Sequence, residues 1–97
     1  MYKLSNLAAE DFAGIYEYTL FNFGDVQADI YTRGLDRVLN LLSESPSMSY
    51  ECSEIANHLR RHDHQKHVIF YRQRERDIFV IRILHQQMEP ERHFLEL

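Results

Sequence analysis

At 97 residues, 44% apolar and 12% aromatic, with a net charge of only -4, the chain is long enough to bury a core and too weakly charged for its apolar content to be disordered. No stretch approaches the roughly 20 consecutive apolar residues of a membrane span, and Met1-Tyr2-Lys3-Leu4-Ser5-Asn6 lacks the basic start and apolar run of a secretory leader. The lone Cys52 excludes an internal disulfide and a cysteine-based metal site, so a cytoplasmic protein of one domain, residues 1–97, with an ordinary thiol is expected.

Residues 1–5 read as a short strand. Asn6 suits a helix cap, with Glu10 and Asp11 in the first turn, where negative charge complements the helix dipole. Ala8, Phe12, Ile15, Tyr16 and Thr19 then recur at the spacing of one buried helical face. Gly24 fits the stop and Asp25 the next cap. A second helix runs to about Ser43, carrying Ala28, Tyr31, Leu35, Val38 and Leu42 at helical spacing, and Ser45-Pro46-Ser47 ends it. The short connection implies an antiparallel hairpin. Gly14 and Gly34 fall mid-helix, where glycine costs about 1 kcal/mol relative to alanine, and close approach of the two helices is the plain explanation for both.

Residues 47–56 read as a loop with at most one helical turn, followed by strands at 57–62, 66–73 and 77–85. Their short connections imply antiparallel pairing. Val68 and Phe70 face one way, Ile69 and Tyr71 the other, so the middle strand is buried on both sides. In the last strand, alternation groups Ile78, Val80 and Leu84 with Arg82, and Phe79, Ile81 and Ile83 with His85. The order β-α-α-β-β-β describes an α+β fold with a helical hairpin packed on an antiparallel sheet.

Charge is unevenly distributed. Residues 1–56 hold 3 Lys/Arg against 9 Asp/Glu, residues 57–85 hold 7 against 3, and residues 86–97 hold 1 against 3. The basic segment, Arg60, Arg61, Lys66, Arg72, Arg74, Arg76 and Arg82, suits phosphates or an acidic partner. An overall pI near 5.8 argues against a dedicated nucleic-acid binder. His58, His62, His64 and His67 match no common zinc spacing, and Asp63 and Gln65 read as turn residues that break any shared histidine face.

Several local patterns resemble the ParE branch of the RelE/ParE toxin superfamily. Phe23-Gly24 followed by Gln27-Ala28 resembles the family's helix-hairpin turn, and Glu44-Ser45-Pro46-Ser47-Met48 its Glu-x-Pro-x-Met segment. Glu54-Ile55 and Leu59-Arg60-Arg61 resemble the approach to the first C-terminal strand. His67-Val68-Ile69-Phe70-Tyr71-Arg72 and Ile81-Arg82-Ile83-Leu84-His85-Gln86-Gln87-Met88 are the nearest matches. The resemblance covers nearly the whole chain.

It implies the RelE/ParE-like fold and a toxin of a type II toxin–antitoxin pair. Such a toxin traps the cleaved DNA complex of DNA gyrase, without catalysis, cofactor, metal or direct nucleic-acid binding. A ParD-like antitoxin, a ribbon-helix-helix protein with an extended arm, would neutralise it in a hetero-oligomer. The arm is expected across an apolar groove between the helix hairpin and the sheet. The expected partner-binding residues are Arg60, Arg61, Tyr71, Arg72, Arg82, His85 and Met88. The alternative is a RelE-like, ribosome-dependent mRNA interferase. Ribonuclease chemistry needs a base for the 2′-hydroxyl, a cation for the phosphate and an acid for the leaving oxygen, and Arg82 and His85 fill two of these roles. The closing tyrosine of many such nucleases has no counterpart between Met88 and Leu97. The competing role for Arg82 is an internal ion pair with Glu54 or Asp77. The apolar residues Met88, Phe94, Leu95 and Leu97 either fold back on the sheet or offer a partner surface.

Overall fold

In the computed structural model, which describes residues 1–94, two helices pack on one face of a five-stranded sheet. Strand β1 (Tyr2–Leu4) leads into α1 (Asn6–Phe23) and α2 (Asp25–Glu44). A single 3-10 turn (Pro46–Met48) and a two-residue strand β2 (Tyr50–Glu51) follow, both within the expected loop. Strands β3 (Arg60–His64), β4 (His67–Gln73) and β5 (Ile78–His85), then a short helix α3 (Pro90–His93), complete the described chain. Strand order across the sheet is β1-β5-β4-β3-β2. Among the described residues no helix is long and apolar enough to cross a membrane.

Local chemistry explains the helix boundaries. Ser5, not Asn6, caps α1: its Oγ accepts from the Ala8 N–H at 2.9 Å and donates to the Ile81 carbonyl at 2.6 Å. The cap therefore also ties the helix start to β5. Glu10 and Asp11 lie a turn further in, and Asp11 is used elsewhere. Gly24 serves both helices as the single joint, with φ +91° and its N–H bonded to the Leu20 carbonyl. Only glycine adopts such a φ without strain. Asp25 is the first helical residue of α2 rather than its cap.

The sheet is mixed rather than wholly antiparallel. β2, β3, β4 and β5 pair antiparallel, but β1 lies parallel to β5, with Tyr2 opposite Ile78 and Leu4 opposite Val80. Parallel neighbours need a long crossover, and here the chain visits the whole helical hairpin and three other strands before returning beside β1. The first C-terminal strand also starts later than expected. Residues 57–59 instead form a turn in which His58 takes φ +59°, and pairing begins at Arg60. The β3–β4 turn is Gln65-Lys66, with Gln65 at φ +52°, so Asp63 is a strand residue after all.

Two cores sit on the two faces of the sheet. Beneath the helices lie Ala8, Ile15, Leu35, Val38, Leu39, Leu42, Ile69, Tyr71, Ile78, Val80 and Ile83. On the opposite face lie Cys52, Leu59, Val68, Phe70, Ile81, Leu84 and Phe94. β4 alternates as expected. β5 does not, because a bulge breaks the register: Tyr71 faces Val80 while Phe70 faces Arg82, leaving Ile81 as the extra residue. Beyond the bulge the faces exchange, which moves Ile83 to the helix side and separates it from Phe79 and Ile81. Phe94 folds back, its ring edge-on to Phe70 at 5.0 Å between centroids. Leu95 and Leu97 lie outside the described residues. Cys52 is buried, and burial pushes its thiol pKa up, which keeps it protonated and unreactive.

Candidate functional site

A groove of about 850 Å³ opens between the helical hairpin and one end of the sheet. One wall is α1, contributing Glu10, Asp11, Gly14, Ile15, Tyr18 and Thr19. Phe23, Gln27 and Tyr31 come from the hairpin joint and α2, and Gln65, Lys66 and His67 from the β3–β4 turn. Ile83, His85 and Met88 close the far side. The bulge in β5 matters here, since the shift in alternation beyond Ile81 puts Ile83 and His85 toward the helices. The rim is unusually apolar for an exposed surface: Phe23 is 63% exposed and Tyr18 65%. Burying such side chains against a partner is worth roughly 1.5–3 kcal/mol each, and contiguous exposed apolar surface marks an interaction site.

The floor carries a small polar cluster. The Tyr31 hydroxyl and Nδ1 of His67 share a hydrogen bond, and the His67 ring stands edge-on to His85 at 5.5 Å. Burial, then the neighbouring His85 and His64, push the His67 pKa down to about 4. The ring is therefore neutral near pH 7. Burial likewise raises the Tyr31 phenol. His85 Nδ1 accepts from the Gln87 N–H at 3.2 Å.

Arg82 is committed within the fold. Its Nε and Nη2 donate to the two Asp11 carboxylate oxygens at 2.8 and 2.9 Å, and the Ile83 N–H donates to the same carboxylate at 3.0 Å. Both side chains are only 15% exposed. The internal ion pair expected for Arg82 exists, but its partner is Asp11 rather than Glu54 or Asp77. Asp77 instead closes the β4–β5 turn by a two-pronged pair with Arg74 at 2.6 and 2.7 Å.

Of the seven expected partner residues, only His85 and Met88 line the groove. Arg60 donates from Nε to the Pro46 carbonyl at 3.1 Å and from Nη2 to the Ser49 carbonyl, which fastens the 3-10 turn to β3. Tyr71 is fully buried; its hydroxyl bonds Ser49 and donates to the Pro46 carbonyl at 2.7 Å. Arg61 lies on the opposite sheet face, over the Tyr50 and Phe70 rings at 5.7 and 5.5 Å, and pairs with Asp63 at 3.0 Å. Arg72 donates to the Asn57 carbonyl at 3.1 Å.

Tyr18 and Tyr31 also line the groove. Gly14, Phe23, Gln27, Lys66 and His67 join them without having been read as site residues. The signal for Gly14 was present, a costly mid-helix glycine, but its explanation was wrong. A Cβ built on Gly14 meets nothing within 4 Å, and one built on Gly34 meets only the His64 ring at 3.9 Å, so neither marks close approach of the helices. His62 and His64 sit on β3 and His58 in the preceding turn. Among the described residues no three His, Cys, Asp or Glu groups converge as a metal site.

Known proteins of similar sequence and fold frame this geometry. The family model described as ParE toxin of type II toxin-antitoxin system, parDE, matches residues 2–90. Toxin ParE1 of Caulobacter vibrioides is 34% identical over 92 residues, covering 95% of each chain. Toxin ParE1 of Mycobacterium tuberculosis is 32% identical over 93 residues, again 95% of each. The fold matches a solved chain titled as the chromosomal ParDE TA system from P. aeruginosa, with a TM-score of 0.74 at 16% identity, over 87% of this chain and 92% of that one. A match along almost the whole chain, shared with relatives of the same length, leads to one conclusion: this chain belongs to the ParE toxin family of type II toxin–antitoxin systems.

Proposed function

We propose that this chain acts in the cytoplasm by inhibiting DNA gyrase, trapping the enzyme's cleaved DNA complex without itself catalysing a reaction, and that the arm of a ParD-type antitoxin neutralises it by occupying the groove. The observation that carries the antitoxin half is the groove itself: open, apolar, and rimmed by Tyr18 and Phe23. Family membership carries the gyrase half. Of the expected contact residues, His85 and Met88 meet the arm directly, and Arg61 and Arg72 offer charge at the far side of the sheet. Arg60 and Arg82 act by holding the toxin's shape. Tyr71 supports the 3-10 turn from inside and touches no partner.

The messenger RNA-cleaving alternative draws on His85, which shares the groove with Lys66 and His67. Against it stands Arg82, whose guanidinium is spent on Asp11 and is not free to meet a phosphate. The deciding experiment adds purified toxin to gyrase, ATP and supercoiled plasmid, alongside an mRNA cleavage assay on translating ribosomes. Double-strand cleavage of plasmid with intact mRNA supports the proposal; cut mRNA with unaffected gyrase overturns it. His85→Ala separates the readings in cells, with toxicity retained by a gyrase poison and abolished in a nuclease.

A further inference from the structure

Gly14 sits in the middle of α1 with no internal reason to be glycine. Of the three glycines only Gly24 has a positive φ. A Cβ at Gly14 would meet no atom within 4 Å, so neither backbone conformation nor packing requires it. A glycine there still lowers helix stability relative to alanine. What the missing side chain does provide is space in the groove. Glu10, Gly14 and Tyr18 are four residues apart and form one stripe along the groove wall. Gly14 is the gap between a carboxylate and a phenol, with Ile15 and Ile83 beside it.

We propose that Gly14 is a specificity-determining gap, in which one large apolar side chain of the antitoxin arm is seated between Glu10 and Tyr18. This rests on the reading of the groove as the antitoxin's seat. The surrounding charges define the rest of the occupant. Glu10 makes no ion pair among the described residues, so a basic group near the seated side chain complements it. Lys66 on the facing wall takes an acidic one. The occupant is an amphipathic segment with an apolar anchor and charges of opposite sign on its two flanks, a pattern that selects its own arm against others.

The test is calorimetric titration of the cognate ParD-type antitoxin into toxin variants, with thermal melts of each free toxin. Gly14→Ala melts at or above the wild-type temperature, because helix propensity rises and its Cβ meets no atom within 4 Å; Gly14→Leu remains folded by the same melt. Antitoxin affinity nonetheless falls about tenfold for Gly14→Ala and about a hundredfold for Gly14→Leu, as expected for overpacking a filled site. Ala13→Leu, exposed and outside the groove, leaves affinity unchanged, and Phe23→Ala on the rim weakens it. Truncating one large apolar residue of the antitoxin arm to alanine restores binding to Gly14→Leu. Wild-type affinity in Gly14→Leu while Phe23→Ala weakens binding overturns the gap but not the groove. Unchanged affinity in both overturns the groove as the antitoxin's seat. A lowered melting temperature in Gly14→Ala shows that the fold itself requires the glycine, and sinks the inference.

Discussion

Asp11 links catalysis-like residues to ordinary architecture. Its carboxylate accepts from two guanidinium nitrogens of Arg82 and from the Ile83 N–H, anchoring α1 to β5 just beyond the bulge. Arg82, which from sequence is equally open to an internal ion pair or a partner-facing role, is thereby a structural group. Asp11→Ala leaves a largely buried guanidinium and a backbone donor without their partner, and should destabilise the protein by about 3 kcal/mol in urea unfolding. His67 titrates in the same sense as a paired carboxylate, its pKa lowered by folding. Its folded pKa of about 4 lies below the ordinary histidine value of 6.5, so folding favours the neutral ring. That contribution is complete above about pH 6.5 and is lost as the pH falls toward about 4. The melting temperature should fall across this window in the wild type and less steeply in His67→Gln. Equal slopes in the two proteins would rule out His67 as the source.

The helices are the elements most fully legible from sequence, because Ser, Gly and Pro punctuate a strong apolar periodicity. The joint between them is testable in isolation. Gly24 has φ +91°, and a Cβ there meets nothing within 4 Å, so the cost of Gly24→Ala is backbone strain alone. It should lower stability by about 1–3 kcal/mol, read as a reduced denaturation midpoint with an unchanged slope. Four of the five strands were legible, and the central position of β4 with them, but not the detail. β2 is two residues long and owes its existence to pairing with Arg60 and Arg61 rather than to any propensity of its own. The β5 bulge leaves no mark in an apolar run that alternates without interruption. Yet the bulge decides that His85 and Ile83 face the groove. The groove was foreseen as a space between hairpin and sheet, but most of its lining was not. Gly14 lies far in sequence from Lys66 and His67, and only packing brings them to one cavity.

At the scale of the whole molecule, one sheet serves two cores, and the charge asymmetry of the sequence separates an acidic helical layer from a basic sheet. Burial on both sides explains why β4 is apolar on both faces, with Ile69 and Tyr71 under the helices and Val68 and Phe70 under the 52–59 loop and Phe94. Each core then contributes through the same strands without direct contact between their outer members. Leu35 belongs to the helix side and is fully buried; Phe94 belongs to the opposite side and is 5% exposed. Leu35→Ala should cost about 2–5 kcal/mol and Phe94→Ala about 3–5 kcal/mol. Because the sheet lies between the two sites, their effects should add in the double variant to within about 0.5 kcal/mol, provided the chain unfolds in one transition, as is usual at this size. Urea unfolding followed by both tyrosine fluorescence and far-UV circular dichroism measures this. Coincident transitions with additive losses would mean that the sheet couples the two cores into one cooperative unit while insulating their packing. If Phe94→Ala instead produced a separate early transition, the face under Phe94 would be a local unit able to open while the groove, on the other face, stayed intact.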